Sequence, residues 1–93
     1  MTRVKVLIPT PLRPFVGHQS SVLVDGATVS EAVADLVRLH DGIRKHLLDA
    51  DGQIRSFVNV YVNEDDIRHL QGASTRLSER DVITIVPSVA GGR

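Results

Sequence analysis

Thr28-Val29-Ser30-Glu31-Ala32-Val33-Ala34-Asp35-Leu36-Val37-Arg38-Leu39-His40 is the run of this chain whose period decides the fold. Val29, Val33, Leu36, Val37 and His40 recur at helical spacing with Ala32 beside them, while Glu31, Asp35 and Arg38 fall elsewhere on the cylinder. That stripe predicts an amphipathic helix. Its start is marked by Thr28 with Glu31 three residues on, the form of a capping box. Asp41-Gly42 gives the stop, where His40 caps the last turn and suits the helix dipole. Residues 43–49 add a further helical turn or two, and Ala50-Asp51-Gly52 is a loop. A helix with one apolar face needs a surface to lie on, and the flanking sequence supplies a sheet.

Arg3-Val4-Lys5-Val6-Leu7-Ile8-Pro9 alternates, with Val4, Val6 and Ile8 on one face and Arg3, Lys5 and Leu7 on the other. This is a strand closed by proline. Thr10-Pro11-Leu12-Arg13-Pro14 interrupts any ladder, because proline lacks an N–H and restricts the residue before it. Residues 15–18 turn into a second strand, residues 20–24, ended by Asp25-Gly26, so the first two strands form a hairpin with a long link. Phe57-Val58-Asn59-Val60-Tyr61-Val62-Asn63 is the clearest strand. Val58, Val60 and Val62 face the helix, and Phe57, Asn59, Tyr61 and Asn63 face away. Glu64-Asp65-Asp66 reads as an acidic turn and residues 67–70 as a short strand or irregular segment. Leu77 is a lone apolar anchor before the final strand, residues 82–86. The order β-β-α-β-(β)-β, one main helix on a mixed sheet of four to five strands, is the α+β order of a ubiquitin-like β-grasp, with a right-handed crossover expected. Residues 1–87 form the domain, and residues 88–93 read as a flexible C-terminal tail.

The totals narrow the function. A chain of 93 residues with 42% apolar content fits one small core. Eleven basic residues balance eleven acidic ones, and no basic run argues for nucleic acid. With no cysteine, disulfides, thiolate catalysis and cysteine-bound metals are excluded. No apolar stretch approaches the ~20 residues of a membrane span, and no signal-peptide pattern opens the chain. A cytoplasmic setting without a membrane is therefore expected. Phosphate-cradling glycine loops and nucleophile elbows are absent. The four histidines, His18, His40, His46 and His69, are scattered without ligand spacing, so no metal site is expected. No catalytic residue is assigned, no bound cofactor is expected, and the chain does not read as an enzyme.

Two features remain. On the sheet face away from the helix, Phe57, Tyr61 and Leu7 are candidate partner anchors, with Arg55, Arg68 and Arg76 as a charged rim. The alternative is that the aromatics cover the edge of a small core and the arginines are merely solvated. The second feature is Ser88-Val89-Ala90-Gly91-Gly92-Arg93, directly after the last strand. Two glycines there are either a frayed end or a segment kept narrow so that its backbone can enter a confined site.

The likeness that bears on this choice is carried by three segments: residues 8–14, residues 55–63, and residues 82–92 ending Val89-Ala90-Gly91-Gly92. With these the chain resembles the MoaD/ThiS family of ubiquitin-like sulfur carriers along nearly its whole length, on the side used in mycobacterial-type cysteine biosynthesis. The resemblance implies that an E1-like enzyme adenylates the Gly92 carboxylate with ATP. Sulfur then displaces AMP to leave a glycyl thiocarboxylate. Val89, Ala90 and Gly91 are implied as the segment the partner reads. Sulfur is then donated to an activated serine derivative held by a PLP-dependent cysteine synthase. Six extended residues reach on the order of 20 Å.

Arg93 departs from the family pattern, since the chain does not end on the reactive glycine. Removal of Arg93, with a zinc-dependent JAMM-type protease as candidate, is one expected processing step; the alternatives are that Arg93 is a residue added to the natural chain or a natural stop on activity. Other readings stay open: a carrier for molybdopterin, thiamine or another metabolite, a ubiquitin-like modifier joined to proteins through Gly92, or an interaction domain with an inert tail.

Overall fold

The computed structural model describes residues 2–87. Within them a single five-stranded sheet runs in the order β2-β1-β5-β3-β4, with β1 at Arg3–Leu7, β2 at Ser21–Asp25, β3 at Val58–Val62, β4 at Asp65–Asp66 and β5 at Val82–Pro87. β1 and β2 are antiparallel, β5 lies parallel to β1, and β3 runs antiparallel to both β5 and β4. Helix α1, Val29–Leu39, crosses from the outer strand β2 to β3. Strict alternation made this sheet one-sided. Val4, Val6, Val22, Val24, Val58, Val60, Val62, Ile83 and Ile85 are all buried, and they meet Val29, Ala32, Val33, Leu36 and Val37 of α1 in one core.

The start of α1 carries much of the local order. Thr28 Oγ1 accepts the Glu31 N–H at 3.2 Å, and Glu31 Oε1 reaches back to the Ala27 N–H at 2.9 Å. The return bond thus lands one residue before the position that a capping box predicts. Residues 75–77 run alongside and occupy the neighbouring groups: Val29 N–H donates to Thr75 O and Leu77 N–H to Ala27 O. Thr75 and Leu77 are buried by this strap. Gly26 precedes it, and a Cβ there would stand 2.5 Å from Ala32 N and 2.8 Å from Ala32 Cα. Only a glycine lets the end of β2 approach the helix backbone so closely.

Three expectations need adjustment. The link between β1 and β2 is not an open turn but 3₁₀ structure over Thr10–Val16, which buries Leu12 and Val16 and ends at Gly17 with φ of 67°. The short strand considered for residues 67–70 falls instead on Asp65–Asp66, β4, within the stretch read as an acidic turn, while Ile67–His69 forms a 3₁₀ turn. Asp66 causes the change, because its Oδ1 accepts the Arg68 N–H at 2.9 Å and caps that turn. β3 begins at Val58, leaving Phe57 in the preceding turn, where Val58 N–H donates to Arg55 O. The segment after α1 is helical as expected: Asp41–Ile43 is a 3₁₀ turn and α2 spans Arg44–Leu47.

Leu36 is fully buried, so Leu36→Ala should cost about 2–5 kcal/mol in urea unfolding. Thr28→Ala, losing one cap bond, should cost about 1 kcal/mol. Gly26→Ala should lower the unfolding midpoint more than Thr28→Ala, because backbone rather than a side chain must give way; equal midpoints would contradict the close approach.

Candidate functional site

β5 lies at the centre of the sheet, bonded to β1 on one side and β3 on the other. Pro87 ends it opposite Val58, where β1 ends and β2 and β3 begin. Ser88 continues the chain from that place. The expectations placed on Val89, Ala90, Gly91, Gly92 and Arg93, including a flexible tail, lie outside the described residues.

The opposite end of β5 is fastened by side chains. Asn63, at φ of 59°, donates its backbone N–H to Val82 O at 2.7 Å and accepts the Val82 N–H on Oδ1 at 3.1 Å. Its Nδ2 donates to Asp81 Oδ1 at 3.0 Å, while Asp81 Oδ2 accepts the Ser78 N–H at 2.8 Å. These bonds, first the Ser78 N–H and then the Asn63 amide, hold the Asp81 carboxyl below its ordinary value. Left-handed backbone is tolerated at asparagine, which makes the Asn63 turn consistent with its sequence. Sequence reasoning placed Asn63 on a strand face and missed this clamp; an Asn followed by acidic residues at a strand end was the available signal.

The four residues singled out as a partner surface are positioned differently from one another. Leu7, 38% exposed, sits on the open face beside Ser21 of β2 and Thr84 of β5. Tyr61 stands half-buried on the other side of Thr84 and opposite Asp66. Leu7, Thr84 and Tyr61 therefore form one row across three strands. Phe57, 39% exposed, is apart from this row, in the turn that leads to Val58 and so next to the root of the tail. The Arg55 guanidinium carbon lies 5.8 Å from the Phe57 ring centroid, and Arg55 Nε donates to Lys45 O at 2.8 Å. This bond anchors one side of the guanidinium and directs the rest over the ring, a cation–π arrangement.

Two more exposed apolar residues lie on the open face, Val86 and Leu23. The same alternation that placed Leu7 there could have found both. Arg68 is not a free rim charge: it pairs with Asp66 at 2.9 Å and also reaches Asn59 Oδ1. Beside the tail-bearing end, an open cleft of about 560 Å³ is lined by Phe15, Arg44, Lys45, Leu48 and Arg55 among others. His46 stacks on Phe15 with ring centroids 4.3 Å apart, a packing role that scattered histidines in sequence do not disclose.

The strand end at Pro87 is paired with Val58, which follows the turn that carries Arg55 and Phe57. Among the described residues no helix is long and apolar enough to cross a membrane. Comparison with known proteins agrees with this geometry. A family model described as the ThiS family matches residues 6–92. The chain is 43% identical to the sulfur carrier protein CysO of Mycobacterium tuberculosis, with 96% of this chain and 98% of the relative covered. It is 37% identical to small archaeal modifier protein 3 of Haloferax volcanii, over 86% of this chain and 88% of that one. A chain in the crystal structure of the Amycolatopsis orientalis BexX/CysO complex superposes with a TM-score of 0.86 at 42% identity, covering 96% of this chain and 99% of that chain.

The carboxylates of Asp81 and Asp35 both carry pKa values lowered by hydrogen bonds in the fold, for Asp35 first from the Asp25 N–H and then from Arg38. Their stabilisation is present above the unfolded aspartate value of ~3.9 and is lost as pH falls through the lower folded values. Thermal melts between neutral and acid pH should show stability falling with pH in that window. Asp81→Asn should start less stable at neutral pH and lose less on acidification; an unchanged acid slope would show that Asp81 contributes nothing to it.

Proposed function

This chain belongs to the ThiS family, and on that footing we propose that it serves as a sulfur carrier. The observation that carries the reading is the position of Gly91-Gly92, four and five residues beyond the centre strand of a β-grasp sheet, in a chain 43% identical to a CysO carrier along 96% of its length. In the proposed cycle Arg93 is first removed, by a protease of the JAMM type or one of like specificity, so that Gly92 becomes terminal. An E1-like enzyme then lets the Gly92 carboxylate attack the α-phosphate of ATP, and pyrophosphate leaves. Hydrosulfide attacks the acyl carbonyl, AMP departs, and a thiocarboxylate remains after loss of the proton from sulfur.

The chemistry explains why a carrier needs no catalytic groups of its own. Activation raises the electrophilicity of one main-chain carbonyl, and the resulting thiocarboxylate is a good nucleophile at neutral pH. A PLP-dependent cysteine synthase is the proposed recipient, holding an activated serine derivative whose β-carbon takes the sulfur. The protein supplies a handle. Its rigid end at Pro87 fixes where the reactive group begins, while glycine at positions 91 and 92 lets the backbone pass through a narrow channel. Leu7, Tyr61, Phe57 and Arg55 are the proposed contacts of the partner's docking face, and the cytoplasm is the proposed setting.

A second reading is favoured by one finding, the 37% identity to a small archaeal modifier protein. An acyl adenylate at Gly92 can be attacked by a lysine amine of another protein as well as by sulfur, giving an isopeptide bond. Carriers for molybdopterin or thiamine share the same activation and differ only in the acceptor.

Intact mass of the protein from its native cells, with and without the activating enzyme, separates these readings. A chain lacking Arg93 and heavier than the free acid by one oxygen-to-sulfur exchange is expected. Conjugates of higher mass that survive reductant would favour the modifier, and only full-length chain ending in Arg93 would sink both. Separately, Phe57→Ala and Arg55→Ala should raise KM for adenylation by on the order of tenfold with kcat and melting temperature little changed, as expected for an exposed interface anchor. An unchanged KM would remove these residues from the interface.

A further inference from the structure

β2 is an outer strand, and its ladder fixes which backbone groups face away from β1. Gly26 N–H donates to Thr2 O and Ile8 N–H to Ser20 O, at 2.8 and 2.9 Å. In an antiparallel pair, bonded and non-bonded positions alternate, so Val22 and Val24 bond to β1 while Ser21, Leu23 and Asp25 turn their N–H and C=O groups outward. The side chains of these same three residues stand on the open face, and Leu23 is 57% exposed. Such an edge is a template for a further strand.

One of the outward groups is already taken. Asp25 N–H donates to Asp35 Oδ2, reaching across from α1, at 2.9 Å. The other oxygen of the same carboxylate, Oδ1, accepts from Arg38 Nε and Nη2 at 3.0 and 2.7 Å. Asp35 is thus held between a helix neighbour and the strand edge, with only 14% of its side chain exposed. This geometry goes beyond helix stabilisation, because a side chain of α1 closes a backbone donor of the sheet.

We propose that Asp35 is an edge guard, which keeps β2 from pairing with β2 of a second copy of this chain. The occupant follows from the strand itself. Two β2 strands set antiparallel about Leu23 use only outward-facing groups, place Leu23 against Leu23, and place Ser21 against Asp25. The exposed leucines cover each other, a hydroxyl meets a carboxylate, and no like charges face one another at these positions. The pairing fails at its ends. The N–H of Asp25 is committed to Asp35 in each copy, and approach of a second strand there would strip water from the Asp35–Arg38 pair, which is costly unless fully compensated. The guard is independent of the sulfur-carrier reading and is tested without an activating enzyme.

The test is sedimentation velocity over a wide concentration series on the full chain, on Asp35→Ala, and on Asp35→Ala combined with Leu23→Lys. The wild type is expected to stay monomeric, Asp35→Ala to shift to dimer as concentration rises, and the double variant to return to monomer. Wild type and Asp35→Ala with the same mass at every concentration would overturn the guard, as would a dimer that Leu23→Lys leaves intact. Should Asp35→Ala fail to fold, Asp35→Asn keeps the shape with a weaker acceptor. In the same concentration series, a shift of Asp35→Asn toward dimer supports the guard, and a mass unchanged from wild type at every concentration overturns it.

Discussion

The structure depends on where β5 sits. A strand bonded on both sides, with Ile83 and Ile85 buried beneath it, cannot shift without breaking two ladders and opening the core. Every other element serves to keep it there. β1 and β3 supply the ladders, α1 seals the apolar face, and the Asn63–Asp81–Ser78 bonds fix the strand's beginning. A segment that must be delivered into another protein's active site is best attached to the least movable part of the fold. In the proposed carrier role, a root bonded on both sides and the small residues Gly91-Gly92 would be complementary parts of that one requirement.

The helix is tied to the sheet through backbone as much as through apolar packing. Ala27 O accepts the Leu77 N–H and Val29 N–H donates to Thr75 O, Glu31 turns back to Ala27, and Gly26 lets β2 come within contact of the Ala32 backbone. Asp35 adds a bond from the middle of α1 to the end of β2. α1 is therefore joined to the sheet at its start and again a turn and a half later, which fixes its angle across the strands. A core this small leaves little stability to spare, and such polar ties confer a single arrangement where apolar packing alone tolerates several.

Most of this architecture was legible in the sequence, and the failures have physical causes. Alternation in residues 3–8 and 58–62 placed their buried valines and isoleucine, because a one-sided sheet leaves no other solution, whereas for residues 82–86 no face was assigned to the core. The periodicity and Thr28–Glu31 located α1. What could not be read were elements whose shape comes from side chains bonding to nearby backbone. Asp66 caps a 3₁₀ turn where a strand was an option, and Leu12 and Val16 sink into the core from a proline-rich link that reads as a loop. Of the surface, Leu7 and Tyr61 were placed rightly by parity, whereas Phe57 lies one residue beyond the ladder. The roles of Gly92 and Arg93 came from resemblance alone, since no pattern of apolar or charged residues distinguishes a reactive end from an idle one.

The parallel pairing of β1 with β5 joins the first strand of the chain to the last, Lys5 meeting Val82 and Leu7 meeting Thr84. Closing so long a loop is entropically costly, and folds built on such contacts form slowly. Before residues 82–87 are available, β1 and β2 can pack against α1, but the inner edge of β1 has no ladder partner. The central position of the sheet stays empty until then, with its flanking ladders unpaired. Completion of the sheet thus waits for β5, the last of its strands in chain order. A chain truncated before β5 lacks the strand that joins β1 to β3, so its sheet falls into two unconnected pairs of strands.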